Sequence, residues 1–268
     1  MKDTILIIDF LNFLHRCRVG TLEGEYVLVY NFFRNLRATV AQFSPNKVFL
    51  CNESGTNFRY KLYPEYKANR IVKTGEQQTK KEDFDSKRDL ILDLVSYLPI
   101  FLAKADGFEA DDVVATLVEN LKDENTILVS GDTDFIQLLQ KGYKNFKLYN
   151  PFKKVFVETP EEHYLVKKCL VGDKSDNIPG LLGPKTAEKT MADVDKLKEF
   201  FSSEENQANF NLNKELIELR IIDDDKLLIT EYNTNYAALK EEFVRMEFHS
   251  LLDDKSWKKF CDTFKELR

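Results

Sequence analysis

The sequence predicts an α/β protein with a mostly parallel central sheet flanked by helices, and three observations carry that expectation. Short, continuously apolar, β-branched-rich runs at 4–9 (TILIID), 47–51 (KVFLC) and 126–130 (TILVS) read as strands buried on both faces. Helically spaced segments lie between them, the alternation that βαβ units require. Asp9 and Asp132 directly follow two such runs, and ligands of open parallel sheets bind beyond the carboxyl ends of the strands.

The first strand is followed by a helix over 27–43, with Val27, Tyr30, Phe33, Leu36, Val40 and Phe43 near 3.6 spacing. The strand at 47–51 leads into a basic segment. Residues 88–102 read as a helix, and Ala105-Asp106-Gly107 as a turn. Residues 109–121 (EADDVVATLVENL) form a helix with an acidic first turn, and 126–130 a third strand. GDTDF then opens a helix through Leu139, and 146–149 and 154–157 are short strands. From about residue 160 helices dominate (161–171, 184–192, 194–201, 213–222), with a polar loop at 202–213 (SSEENQANFNLN) and a mixed, polar tail after 230. The organisation expected is a sheet domain over 1–160 and a helical region over 161–268.

A chain of 268 residues with 21 Phe and 43% hydrophobic residues buries a sizeable core. No apolar run approaches the ~20 residues of a membrane span, and the Asp inside the N-terminal apolar run argues against a secretory signal. Cys17, Cys51, Cys169 and Cys261 lack metal-ligand spacing and read as reduced thiols, so the expected location is the cytoplasm. The formal charge of −6 speaks against nucleic acid as a partner. The objection weakens if the acids are gathered in one place, because setting eight of them aside turns −6 into about +2.

Eight carboxylates stand where such a gathering would form: Asp9, Glu109, Asp111, Asp112, Asp132, Asp134, Asp173 and Asp176. Each motif has a plain reading as well. An acidic first turn suits the helix macrodipole, and Asp is a good N-cap. Taken together, acids packed beyond adjacent strand ends repel one another unless cations neutralise them, and hard divalent cations want oxygen ligands. His15, His163 and His249 have no partner signature, so metal-assisted phosphoryl transfer fits better than Ser-His or Cys-His nucleophilic catalysis.

Residues 172–187 read GDKSDNIPGLLGPKTA. Gly180 and Gly183 let backbone N–H groups approach a phosphate, and the next helix offers its N-terminus with Lys185 and Thr186. An ordinary Gly/Pro turn between helices is the alternative. The basic segment, 58–81, carries Arg59, Lys61, Lys67, Arg70, Lys73, Lys80 and Lys81, interleaved with Tyr60, Tyr63 and Tyr66. Cations track phosphates and rings stack on bases, so it suits a single strand; a solvated loop is the alternative.

In this order, ILIIDF, FRYKLYPEYKANR, GFEADDVVATL, VSGDTDFIQLL and VGDKSDNIPGLLGPKTA resemble the flap endonuclease/5′-nuclease superfamily, and within it the phage 5′-nucleases of the T-even RNase H type. The resemblance runs from residue 4 to about 190. It implies a PIN-like sheet, a helical arch over the site (about 58–87) and a helix-hairpin-helix-type duplex-binding region behind it. The implied activity is a structure-specific 5′-to-3′ exonuclease and flap endonuclease using two Mg²⁺ or Mn²⁺ ions, which removes RNA primers or 5′ flaps in replication.

By motif, Asp9, Glu109, Asp111, Asp112, Asp132 and Asp134 resemble the first metal cluster and its surroundings, and Asp173 and Asp176 a second site. Lys67 and Arg70 resemble the catalytic cations that meet the scissile phosphate. Arg59, Lys61, Tyr66, Lys73, Gly180, Gly183, Lys185 and Thr186 fall on the implied nucleic-acid surface. The hairpin loop implies a potassium ion. The chain departs from the family at one place. Where the family has an Asp six residues before its FR pair stands Asn52, with Glu53 beside it. The implied partners are DNA and RNA/DNA junctions with 5′ ends or flaps, a single-strand-binding protein and a sliding clamp. A monomer without a membrane is expected, in the host cytoplasm if phage-encoded. Two other readings stay open: a junction-binding protein weakened in catalysis at residue 52, and a metal-dependent RNase or phosphatase on a related sheet.

Overall fold

The computed structural model describes residues 3–18, 24–70, 74–160 and 163–267. Five strands run parallel: β1 (Thr4–Asp9), β2 (Lys47–Cys51), β3 (Phe101–Lys104), β4 (Asn125–Val129) and β5 (Phe146–Asn150). Antiparallel β6 (Val155–Phe156) and β7 (Leu228–Glu231) complete a seven-stranded sheet of order β6-β5-β4-β1-β2-β3-β7. The mostly parallel sheet is as the sequence predicts. The unbroken apolar run of β1 has a simple cause. Leu6 and Ile8 enter the core on one face, and Ile5 and Ile7 enter the core on the other.

On the first face lie α1 (Phe10–Cys17) and α2 (Val27–Phe43), whose Phe10, Phe13, Phe32 and Phe33 interlock edge to face. After β2 come the short α3 (Arg59–Leu62) and the long α4 (Gly75–Val95). Residues 74–83 are exposed on every side, so the N-terminal half of α4 projects from the body. It is held by side-chain pairs such as Lys80–Glu76 and Lys81–Asp85. The other face is covered by α5 (Ala110–Asn120) and α6 (Ile136–Gln140). Next come α7 (Tyr164–Val171), α8 (Pro184–Met191), α9 (Val194–Phe200) and α10 (Glu204–Ile217). The chain ends in α11 (Tyr236–Arg245), α12 (His249–Leu252) and α13 (Asp254–Lys265). Their Leu239, Phe243, Phe260 and Phe264 enter the same core as α1 and α2, so the tail returns to the sheet.

The structure corrects four expectations. The helix expected at 88–102 starts at Gly75, capped by Thr74, and ends at Val95; 101–104 is a strand. One continuous apolar run hides both elements, and Pro99, which lacks an N–H, marks the break. The polar loop at 202–213 is mostly α10, which Ser203 caps and which turns Leu216 and Ile217 inward. The helix expected over 213–222 stops at Ile217, because Glu218 is extended. GDTDF forms a turn, and the helix begins only at Ile136. The short helix α1 is an addition that the sequence pattern does not announce.

Candidate active site

The parallel sheet aims the loops after β1, β2, β3 and β4 at one end, as adjacency and common direction require. Asp9 ends β1 and caps α1. Its Oδ1 accepts the Asn12 N–H at 3.2 Å, and its Oδ2 accepts the Ser130 hydroxyl at 2.8 Å. Glu109 caps α5, and Asp111 sits in its first turn. In the turn after β4, Asp132 Oδ1 accepts the Asp134 N–H at 2.8 Å. Asp173 and Asp176 come from the α7–α8 loop. All seven line a cavity of about 420 Å³, together with Glu53, Lys67, Arg70 and Lys168.

Crowding of buried carboxylates shows in their acidities. Burial pushes the Asp9 carboxyl up to about 7; the Ser130 and Asn12 hydrogen bonds oppose the rise, and Asp132 and Glu53 add to it. Burial likewise raises Asp111 well above the usual carboxylate range, and Asp9, Asp132, Glu109 and Asp134 all add repulsion. Asp111 has no ion pair among the described residues. Burial raises Asp134 against the pull of Lys168. At Asp173 burial is outweighed by hydrogen bonds from Lys168 and Ser175, which bring the carboxyl down to about 2.

Among the described residues, no three Asp, Glu, His or Cys side chains converge into a ready-made metal cage. Ammonium groups stand between the carboxylates instead. Lys168 Nζ contacts Asp134 and lies 2.7 Å from Asp173 Oδ2. Lys67 Nζ contacts Glu109 and lies 3.8 Å from Asp176 Oδ2. The residues present nonetheless fit hard divalent cations. Every donor facing the cavity among the acids is oxygen, and Asp9 and Asp111 are held in a costly anionic crowd. Just after β2, beside the cavity-lining Glu53, the Asn52 Oδ1 is buried without a hydrogen-bond partner among the described residues, an acceptor that a cation would satisfy.

Such a crowd makes the metal-free protein sensitive to pH. An acid whose folded-state acidity is shifted upward binds its proton more tightly when folded. Stability from Asp9 and Asp111 is therefore fully present below the unfolded carboxylate range and is lost as pH rises through about 7 for Asp9. In chelator, Tm at pH 6 is expected to exceed Tm at pH 8 by several degrees, with Mg²⁺ closing the gap (about 2–4 °C per kcal/mol for a chain near this size). Equal values in chelator would show that the cluster is not strained.

Three expected site residues have other duties. Asp112 is fully buried, and both its oxygens bind the Arg59 guanidinium, at 2.6 and 2.8 Å. It does not face the cavity. Arg59 is 2% exposed and also donates to the Leu216 carbonyl, so it is a structural cation and not a surface for nucleic acid. Tyr66 is 2% exposed, with its hydroxyl 3.0 Å from both Glu109 Oε2 and Asp176 Oδ2, so its ring is not free to stack on a base. Lys61 is exposed, and Arg70 pairs with Asp176. Lys73 lies outside the described residues. Gly183, Lys185 and Thr186 are exposed at the start of α8. Gly180 is required by packing, since a Cβ there would collide with the Val171 carbonyl oxygen. Lys168 and Ser130 are functional neighbours that sequence reasoning misses. The only signal for Lys168 is its place one helical turn before Gly172-Asp173, and for Ser130 its place between a strand and Gly131.

Residues 4–169 match the family model described as 5′-3′ exonuclease, N-terminal resolvase-like domain. The 5′-3′ exonuclease of Bacillus subtilis is 34% identical over 232 residues, covering 75% of each chain. The thermostable DNA polymerase I of Thermus filiformis is 31% identical over 204 residues, covering 70% of this chain. This chain spans about a quarter of the length of such polymerase relatives. Among solved structures, the bacteriophage T5 flap endonuclease, a pseudo-enzyme–product complex with DNA and metal ions, superposes with a TM-score of 0.63. That match covers 98% of both chains at 18% identity and shows a shared fold. The chain belongs to the 5′-3′ exonuclease family.

Proposed function

We propose that the protein is a divalent-metal-dependent 5′ nuclease that cuts phosphodiesters at 5′ ends and 5′ flaps near single-strand/double-strand junctions, including RNA primers. The observation that carries this is the single cavity that Asp9, Glu109, Asp111, Asp132, Asp134, Asp173 and Asp176 line together with Lys67 and Arg70. When bound, divalent cations neutralise the charge that develops on the phosphate and polarise it. Asp9, Asp111, Asp132 and Asp134 would hold the first of two Mg²⁺ or Mn²⁺ ions, with Asn52 or Glu53 beside them. Asp173 would hold the second with Asp176. Ser130 and Asn12 orient Asp9. Lys67 and Arg70 line the same cavity and would meet the phosphate there.

The division of labour we propose places hydrolysis in 1–160, with the projecting α4 as the arch, and duplex binding in the loop of 172–187. There Gly183, Lys185 and Thr186 face phosphates, with a potassium ion as the expected companion. Phosphate contacts carry no sequence code, so recognition is by structure. The proposal includes replication work in the cytoplasm beside a single-strand-binding protein and a sliding clamp; among the described residues no helix is long and apolar enough to cross a membrane.

The test is cleavage of a 5′-end-labelled flap duplex in Mg²⁺, Mn²⁺ or chelator, beside Asp132→Ala. Short labelled products that need metal and vanish in the variant are expected, with DNA binding largely kept. Cleavage in chelator, or normal turnover by the variant, would overturn the reading. Lys185→Ala is expected to weaken binding of duplex-containing substrates more than of single strands. Equal losses in a binding titration would remove Lys185 from the duplex surface.

A further inference from the structure

The motifs YKANR and SDNIPG each contain an asparagine without a role in the chemistry above. The structure brings these two residues to one seam. Asn69 Nδ2 donates to the Lys174 carbonyl at 2.8 Å and to the Ser175 carbonyl at 3.3 Å. Asn177 Nδ2 donates back to the Glu65 carbonyl at 2.8 Å. Between them, the Lys67 N–H donates to the Asp176 carbonyl at 2.9 Å. Two segments more than a hundred residues apart are thus stitched together by two neutral amides and a backbone hydrogen bond, beside the contacts that Tyr66 and Arg70 make with Asp176.

The backbone at the seam is unusual on both sides. Lys67 and Asn177 take left-handed φ values of 55° and 59°, which non-glycine residues adopt at a cost. Lys67 is thereby turned back toward Glu109 and Asp176. On the other side, the loop is locked to the hairpin and to α10. Asp173 and Ile178 exchange both backbone hydrogen bonds, at 3.0 and 2.8 Å. The buried Asn213 of α10 donates to the Cys169 and Pro179 carbonyls, both at 2.9 Å. From Glu65 to Gly183 the path is a chain of short, directional contacts with little slack.

We infer that Asn69 and Asn177 are positioning residues that set the distance between the 5′-strand cations Lys67 and Arg70 and the duplex-facing hairpin, and so determine the preference for junctions. This rests on the function proposed above and extends it to substrate choice. Neither amide carries charge, so neither adds to phosphate attraction. Each hydrogen bond contributes little to stability beside the whole fold, so their value lies in geometry. A flap or nicked duplex engages both sides of the seam at once, and a misplacement near 1 Å can cost ~10²-fold in rate. A single strand meets Lys67, Arg70 and the acids of the loop but not the duplex-facing Gly183, Lys185 and Thr186, so it senses the spacing less.

The test uses the full chain and the double variant Asn69→Ala/Asn177→Gly; glycine keeps the left-handed backbone while removing the amide. With Mg²⁺, kcat on a 5′-flap duplex is expected to fall ~10–100-fold with KM within a few-fold, while cleavage of a 5′-labelled single strand falls several-fold less. Equal losses on both substrates, or an unchanged flap rate, would overturn the inference. A second measurement needs no catalysis. In chelator, a blunt duplex is expected to slow hydrogen exchange at 173–187 and also at 65–70 in the wild type, but only at 173–187 in the variant. If 65–70 does not respond in the wild type, the inference fails whatever the cleavage data. If the wild type cleaves neither substrate in metal, the nuclease reading fails, and the exchange result alone decides the coupling.

Discussion

Asp111→Asn is expected to abolish cleavage and, in the same protein, to raise the stability of the metal-free state. The two effects have one cause. Asp111 sits among Asp9, Glu109, Asp132 and Asp134 without an ion-pair partner among the described residues, and burial and repulsion both disfavour its charge. Asparagine keeps the shape and removes the charge. In chelator at pH 8 the variant is expected to melt a few degrees higher, each kcal/mol being worth about 2–4 °C in a chain near this size. The gain should shrink toward pH 6, where the wild-type cluster takes up protons. Turnover in Mg²⁺ is expected to fall at least ~10³-fold, on the scale of losing a main electrostatic contribution to the transition state. A variant that is inactive but no more stable would mean the acids are not strained. One that is more stable but active would remove Asp111 from the chemistry.

The opposite pattern is expected one residue further on. Asp112→Ala leaves the Arg59 guanidinium buried with its bidentate partner gone, and also strips acceptors from the Arg220 and Glu109 N–H groups. Breaking a buried pair on one side costs about 3–5 kcal/mol where the remaining charge is uncompensated; Glu109 Oε2, 3.5 Å from Arg59 Nη1, offsets part of that here, so the loss is expected toward the lower end. Thermal or urea denaturation is the direct measurement, and a loss below about 1 kcal/mol would show that water reaches Arg59. Below the melting transition, the folded fraction is expected to keep cutting in Mg²⁺. Adjacent acids in one motif would then separate cleanly, one serving the reaction and the other the fold.

That separation marks the limit of what the sequence discloses. β1, α2 and β2 are legible to the residue, because strand burial on both faces and a 3.6-residue stripe each leave an unmistakable local pattern. β3 is not, because its four residues continue the apolar run that ends α4. The helix α10 is hidden by its polar composition, although its Asn213 is buried and braces the hairpin. At the site, carboxylates at strand ends are readable since topology alone sends them to one end of the sheet. The duties of Arg59 and Tyr66 are not, because whether a cation or a ring in a basic segment points outward or inward depends on partners far along the chain. Arg59 answers to Asp112 and Leu216, and Tyr66 to Glu109 and Asp176. Lys168 is an exposed-looking lysine in a short amphipathic helix until the fold lays Asp134 against it.

The sheet's last strand also sets an order of events during synthesis. β3 is complete by residue 104, yet its outer neighbour, β7, is encoded at 228–231, and the phenylalanines that finish the core over α2 come later still. While the ribosome is still working through the intervening helices, β3 must wait with an open edge and the α1–α2 face with a bare patch. Open edges and bare patches are the surfaces that recruit other chains. Premature termination anywhere between about 105 and 227 is therefore expected to yield insoluble fragments rather than smaller working nucleases, even though every carboxylate of the cavity has been made by residue 176.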